Sequence, residues 1–87
     1  MSAYRVRLAA NAERQLRQFA GPLQRRVVAA LRAIQDDPTV GRKLRSEFEG
    51  SRRYRVGGYR IVYQVNEPER VILIENIRHR GRAYRRR

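Results

Sequence analysis

The chain has 87 residues, 41% of them hydrophobic, and a formal charge of +13 from 21 basic and 8 acidic side chains. That size allows a single domain, residues 1–87, with a small core; no cysteine is present and His79 is the sole histidine, which excludes a disulfide frame, thiol chemistry and a cysteine-based zinc site, so no metal or cofactor is expected. No run of about 18 apolar residues could span a membrane, and the N-terminal residues lack the apolar segment of a secretory signal, which points to the cytoplasm and away from a membrane partner.

Twenty of the basic residues are Arg and one is Lys43. The planar donor fork of Arg meets phosphate or carboxylate bidentately, so this composition suits a bound polyanion. A field of this sign attracts phosphate backbones, acidic membranes or an acidic protein. The hydrophobic share argues for a folded domain over a disordered basic tail.

Residues 3–8 alternate strictly and predict a first strand, with Tyr4, Val6 and Leu8 facing a core and Arg5 and Arg7 facing away. Ala12, Leu16 and Phe19 share one stripe of a short helix over 10–19, whose start has Ala9 and Ala10 where a capping side chain is preferred. Gly21-Pro22 breaks the chain and opens a second helix ending near Gln35, with Leu23, Val27, Leu31 and Ile34 on one stripe. Asp36-Asp37-Pro38 stops it, because a residue before proline avoids the helical region. The two helices form an antiparallel hairpin. Residues 38–50 show no period; Leu44 and Phe48 are their expected anchors.

Residues 52–63 predict a β-hairpin around Gly57-Gly58, where a two-residue turn needs the positive φ that glycine adopts without strain. Such a turn sets the register: Val56 faces Tyr59, Arg55 faces Arg60, Tyr54 faces Ile61 and Arg53 faces Val62. Alternation then puts Tyr54, Val56, Tyr59, Ile61 and Tyr63 on a core face and Arg53, Arg55 and Arg60 on the other. Residues 66–69 form a turn. Residues 70–77 make a fourth strand, apolar on both faces at 71–74, which suits an interior position. Residues 78–87 hold six arginines. The predicted fold is α+β in the order β-α-α-β-β-β, with both helices on one face of a four-stranded sheet and the arginine face open.

That element order resembles the RelE/ParE superfamily of bacterial and archaeal toxins over nearly the whole chain. The likeness is carried by Leu44, by Tyr-Arg-Val-Gly-Gly-Tyr-Arg-Ile-Val-Tyr over 54–63, by Ile-Arg-His-Arg over 77–80 and by Tyr84. The resemblance implies a small toxin neutralised by a cognate antitoxin. RelE-type members cleave messenger RNA in the ribosomal A site; ParE-type members inhibit DNA gyrase without catalysis. It also implies roles. Arg60 matches the arginine at the scissile phosphate, Arg53 and Arg55 match two basic residues on the preceding strand, Arg80 matches the basic residue after the last strand, and Tyr84 matches a tyrosine that stacks on a base. Arg52, Arg78 and Arg82 flank this group as candidate contacts to RNA or the ribosome.

Cleavage on this reading is attack of a ribose 2′-OH on the adjacent phosphate, which needs a proton acceptor, donors for the developing charge and a proton for the leaving oxygen. Arg55 and Arg60 suit the second task. The family's lysine is replaced by Arg53, which stays protonated and makes a poor base. His79 is one candidate, by virtue of an ordinary pKa of about 6.5; closure of the strand end is its other reading, and catalysis without a base is a third. A ribosome-dependent endonuclease is therefore expected, with a gyrase inhibitor as the alternative and a purely nucleic-acid-binding module behind both.

Overall fold

The computed structural model describes residues 3–44 and 50–79. Arg80, Arg82 and Tyr84, and the expected anchor Phe48, lie outside the described residues. Strand β1 (Arg5–Leu8) leads into helix α1 (Ala10–Gln18) and helix α2 (Gly21–Asp36). A 3-10 turn (Pro38–Val40) and a two-residue strand β2 (Arg42–Lys43) follow, then β3 (Ser51–Val56), β4 (Tyr59–Asn66) and β5 (Val71–His79). The sheet order is β1-β5-β4-β3-β2, with β1 parallel to β5 and the other pairs antiparallel.

The hairpin register is the one its turn dictates, with Arg53 opposite Val62, Tyr54 opposite Ile61, Arg55 opposite Arg60 and Val56 opposite Tyr59. Gly57 has φ 59°, the positive value required at the first turn position. Neither helix has a side-chain cap, as the alanines at Ala9 and Ala20 dictate. Packing of their apolar stripes therefore holds them in place. Ala12, Val27, Ala30, Leu31 and Ile34 meet Val56, Ile61, Tyr63, Ile72, Ile74 and Ile77 in one core. Tyr4, Tyr54 and Tyr59 pack on its margin.

Three features depart from the sequence reading. The sheet gains a fifth strand, because Arg42 and Lys43 pair with Arg53 and Arg52. Tyr63, wholly buried, ties that segment down: its hydroxyl donates to the Pro38 carbonyl at 2.6 Å and accepts the Gly41 N–H at 3.0 Å. A side chain at Gly41 would run into that hydroxyl, so only glycine fits. Next, β5 continues to His79 and carries a β-bulge. Val62 pairs with Asn76 but Tyr63 pairs with Ile74, leaving Glu75 as the extra residue. The bulge lets Ile74 and Ile77, three apart, both reach the core. Finally, Leu73 is 37% exposed, because only one face of β5 is covered by helices.

Candidate functional site

Cross-strand register lays out the uncovered face in rows. Nearest the hairpin tip, Arg55, Arg60 and Arg78 stand side by side on β3, β4 and β5. The next row is Arg42, Arg53, Val62 and Asn76. Beyond it come Ser51, Gln64, Leu73 and Arg7. Neighbouring strands are about 4.8 Å apart, so five arginines share two adjacent rows. Like charges directly opposite one another destabilise a sheet by roughly 0.2–1 kcal/mol a pair. A phosphate backbone relieves that repulsion, since each phosphate accepts a bidentate guanidinium. A groove of about 400 Å³ between Val40, Arg42, Arg53, Tyr54 and Arg55 opens at the β3 edge of the same surface.

The structure thus brings together Arg53, Arg55, Arg60 and Arg78 and adds Arg42, from the stretch 38–50 where the sequence shows no period. Arg78 needed the β4–β5 register to be placed, and Arg42 needed the short strand β2. Arg52 and His79 are not brought together with them. Arg52 pairs with Tyr63 on the helix side, and its guanidinium donates to the Gly41 carbonyl at 2.6 Å, bracing the 3-10 turn. His79 pairs with Tyr59, and its ring meets the Tyr59 ring edge-on at 4.9 Å. Tyr59 in turn packs edge-on against Phe19 at 5.0 Å, at the end of α1. Strand alternation puts His79 on the helix side, across the sheet from Arg60.

Among the described residues, one carboxylate lies on the arginine face. At the bulge, Glu75 accepts a hydrogen bond from the Ser51 hydroxyl at 3.1 Å, and Gln64 donates to that hydroxyl at 3.4 Å. Ser51 is 3% exposed and sits two residues before Arg53 on the same face. Beside it, Asn76 has its Oδ1 enclosed without a hydrogen-bond partner. Strict alternation from Ile74 would have turned Glu75 outward and Asn76 inward. Both face outward because of the bulge, which no residue pattern announces.

Among the described residues, three groups away from this face have pKa values displaced from the ordinary ones. Burial pushes the Tyr63 hydroxyl up, against the pull of the Gly41 N–H and Arg52. The hydrogen bond to Glu67 raises Tyr4. Thr39, through its hydroxyl and its N–H, holds Asp37 down. Among the described residues no three His, Asp or Glu side chains converge as a metal would require, and no helix is long and apolar enough to cross a membrane.

Comparison with known proteins fits this architecture. The profile of the ParE toxin of the type II toxin–antitoxin system parDE matches residues 6–84. Among solved structures, the RelBE2 toxin–antitoxin complex of Mycobacterium tuberculosis is similar at 30% identity and a TM-score of 0.81, covering 93% of this chain and 95% of that one. The archaeal RelE–RelB complex of Pyrococcus horikoshii gives 25% identity and 0.74, covering 94% and 99%. The isolated Escherichia coli RelE toxin shares the fold at 21% identity and 0.78, covering 88% and 84%. No curated protein sequence matches significantly. A family match over most of the chain and these likenesses to RelE toxins make it a member of the ParE toxin family, a toxin of the RelE/ParE superfamily of type II toxin–antitoxin systems.

Proposed function

We propose that this toxin is a ribosome-dependent messenger-RNA endonuclease acting in the cytoplasm. The observation that carries the reading is the alignment of Arg55, Arg60 and Arg78 across three strands, with Arg53 in the next row, on the face that the helices leave uncovered. Guanidinium donors fixed on strands suit the charge that builds on a phosphate during in-line attack, and removing one such donor typically costs about 10²–10³ in rate. Arg60, half-buried at the middle of its row, is assigned to the scissile phosphate, with Arg55 and Arg53 beside it. Arg80 and Tyr84 are assigned by resemblance to a further phosphate contact and to base stacking, which is worth about 1–3 kcal/mol per base. His79 is assigned to closing the helix-side end of β5, and Arg52 to bracing the 38–43 segment.

A cognate antitoxin is the proposed protein partner, as in the toxin–antitoxin complexes of the similar chains. Charge complementarity calls for an acidic or amphipathic segment, lying on the helical hairpin or across the arginine face.

The ParE family match favours a second reading, inhibition of DNA gyrase without catalysis. Affinity for RNA in a tube separates the two poorly, because a field of +13 binds RNA nonspecifically. A translation reaction with purified toxin, mapping of messenger 5′ ends and a ribosome-free control does separate them. Cuts in the A site that require ribosomes are the expected result; intact messenger with undiminished translation, joined to inhibited supercoiling, would replace this reading with the gyrase one.

A further inference from the structure

We propose that Glu75 is the proton acceptor of the cleavage reaction; this rests on the endonuclease reading above. The chemistry needs a group that takes the 2′-OH proton, and the arginines cannot, because guanidinium remains protonated. His79 lies across the sheet against Tyr59. Among the described side chains that the strands present on the arginine face, Glu75 is the one carboxylate, an acceptor where the guanidinium groups offer only donors.

The backbone is built to put it there. Ile74 pairs with Tyr63 and Asn76 with Val62, so the ladder would close without Glu75, and every other residue would keep its face. The bulge adds one side chain to the arginine face and nothing to the core. Bulges of this kind are enriched next to active sites, where they re-aim a side chain. The Ser51 hydroxyl then fixes the carboxylate by donating to Oε1, and Gln64 fixes the hydroxyl by donating to its oxygen. Oε2 remains for the substrate. Ser51 is in register two residues from Arg53, so the carboxylate borders the row that holds Arg53 and is one row further from Arg60. The proposed pose sets a phosphate between the long side chains of those two arginines with its ribose toward the bulge.

The step balances as follows. Glu75 Oε2 removes the proton from the 2′-OH, and the 2′-oxygen forms a bond to phosphorus. The bond from phosphorus to the 5′-oxygen breaks, its electron pair stays on that oxygen, and water protonates it. The products are a 2′,3′-cyclic phosphate and a 5′-hydroxyl. Glu75 returns its proton to the hydroxide left by that water.

The test is single-turnover cleavage of ribosome-bound messenger by Glu75→Ala and Glu75→Gln toxins, with ribosome binding measured in parallel and formate added as a diffusible carboxylate. Glu75→Gln keeps the size of the side chain and a partner for Ser51, which covers the case of a poorly folded alanine variant. The expected result is a loss of about 10²–10⁴-fold in both variants, unchanged ribosome binding, and saturable rescue of Glu75→Ala by formate. Wild-type rates in either folded variant would overturn the assignment, as would a loss that tracks weakened ribosome binding and ignores formate. Absence of cleavage by the wild-type toxin in the same reaction would instead remove the endonuclease reading, and this assignment with it.

Discussion

The two faces of the sheet are written by the same strands, residue by residue in alternation, and they obey opposite rules. On the helix side, Ile61, Tyr63, Ile72, Ile74 and Ile77 are fully enclosed, and their positions follow from packing. On the other side, Arg55, Arg60 and Arg78 sit next to one another although their charges repel. The first face makes the fold; the second is tolerated by it. Away from the β5 bulge, a side chain's face can therefore be assigned by parity, and neighbours in sequence should behave as strangers.

Arg60 and Ile61 give the sharpest break. Arg60→Ala is expected to lower A-site cleavage by about 10²–10³-fold with little change in melting temperature. Ile61→Ala, one residue on, should cost about 2–5 kcal/mol of stability, seen as a melting temperature lower by roughly 4–8 °C for each kcal/mol. An equal stability loss in both would dissolve the distinction between the faces. Tyr63→Phe comes next. It removes the hydroxyl that holds Pro38 and Gly41 and leaves a buried N–H unpaired, a cost of about 1–3 kcal/mol. Chemical denaturation measures it. The hydroxyl's pKa is raised in the fold above its ordinary 10.0, so its contribution is complete below that pH and disappears as pH climbs through the folded value. The phenylalanine variant should lack this alkaline loss.

Asn76→Val should move stability the other way. Its Oδ1 is enclosed without a partner, and valine suits a strand position opposite Val62. A gain of about 1 kcal/mol is expected, again by denaturation; a loss would mean that the amide is already satisfied. The smallest effect belongs to Asp37→Asn. Thr39 depresses the Asp37 pKa below 3.8, so the carboxylate adds stability above that pH and forfeits it as pH falls through the lower, folded value. Acid titration of the asparagine variant should show a slightly shallower loss.

Much of this division was legible beforehand. Gly57-Gly58 sets the register of β3 and β4, and register sets faces, so Arg53, Arg55 and Arg60 group correctly from the sequence alone. Four apolar residues at 71–74 announce an interior strand. What escaped depends on pairing between distant segments. Arg42 joins the surface only because Tyr63 captures the turn before it, through bonds to backbone that no side-chain pattern reveals. His79 turns to the helix side and Asn76 turns outward because a single extra residue interrupts the alternation of β5. Period-based reading assumes an unbroken pleat, and its errors begin at the bulge.

Pairing of β1 with β5 has a consequence in time. Arg5 meets Val71, and the strand between β1 and the rest of the sheet is the last of the described strands to be synthesised. Contacts so distant in sequence form late. Until β5 has left the ribosome, Arg78 is missing from its row, Glu75 has no bulge to stand on, and β1 has nothing to pair with. A nascent chain that lacks β5 carries its charges but not their arrangement, so the arginine rows come together only after β5 has emerged.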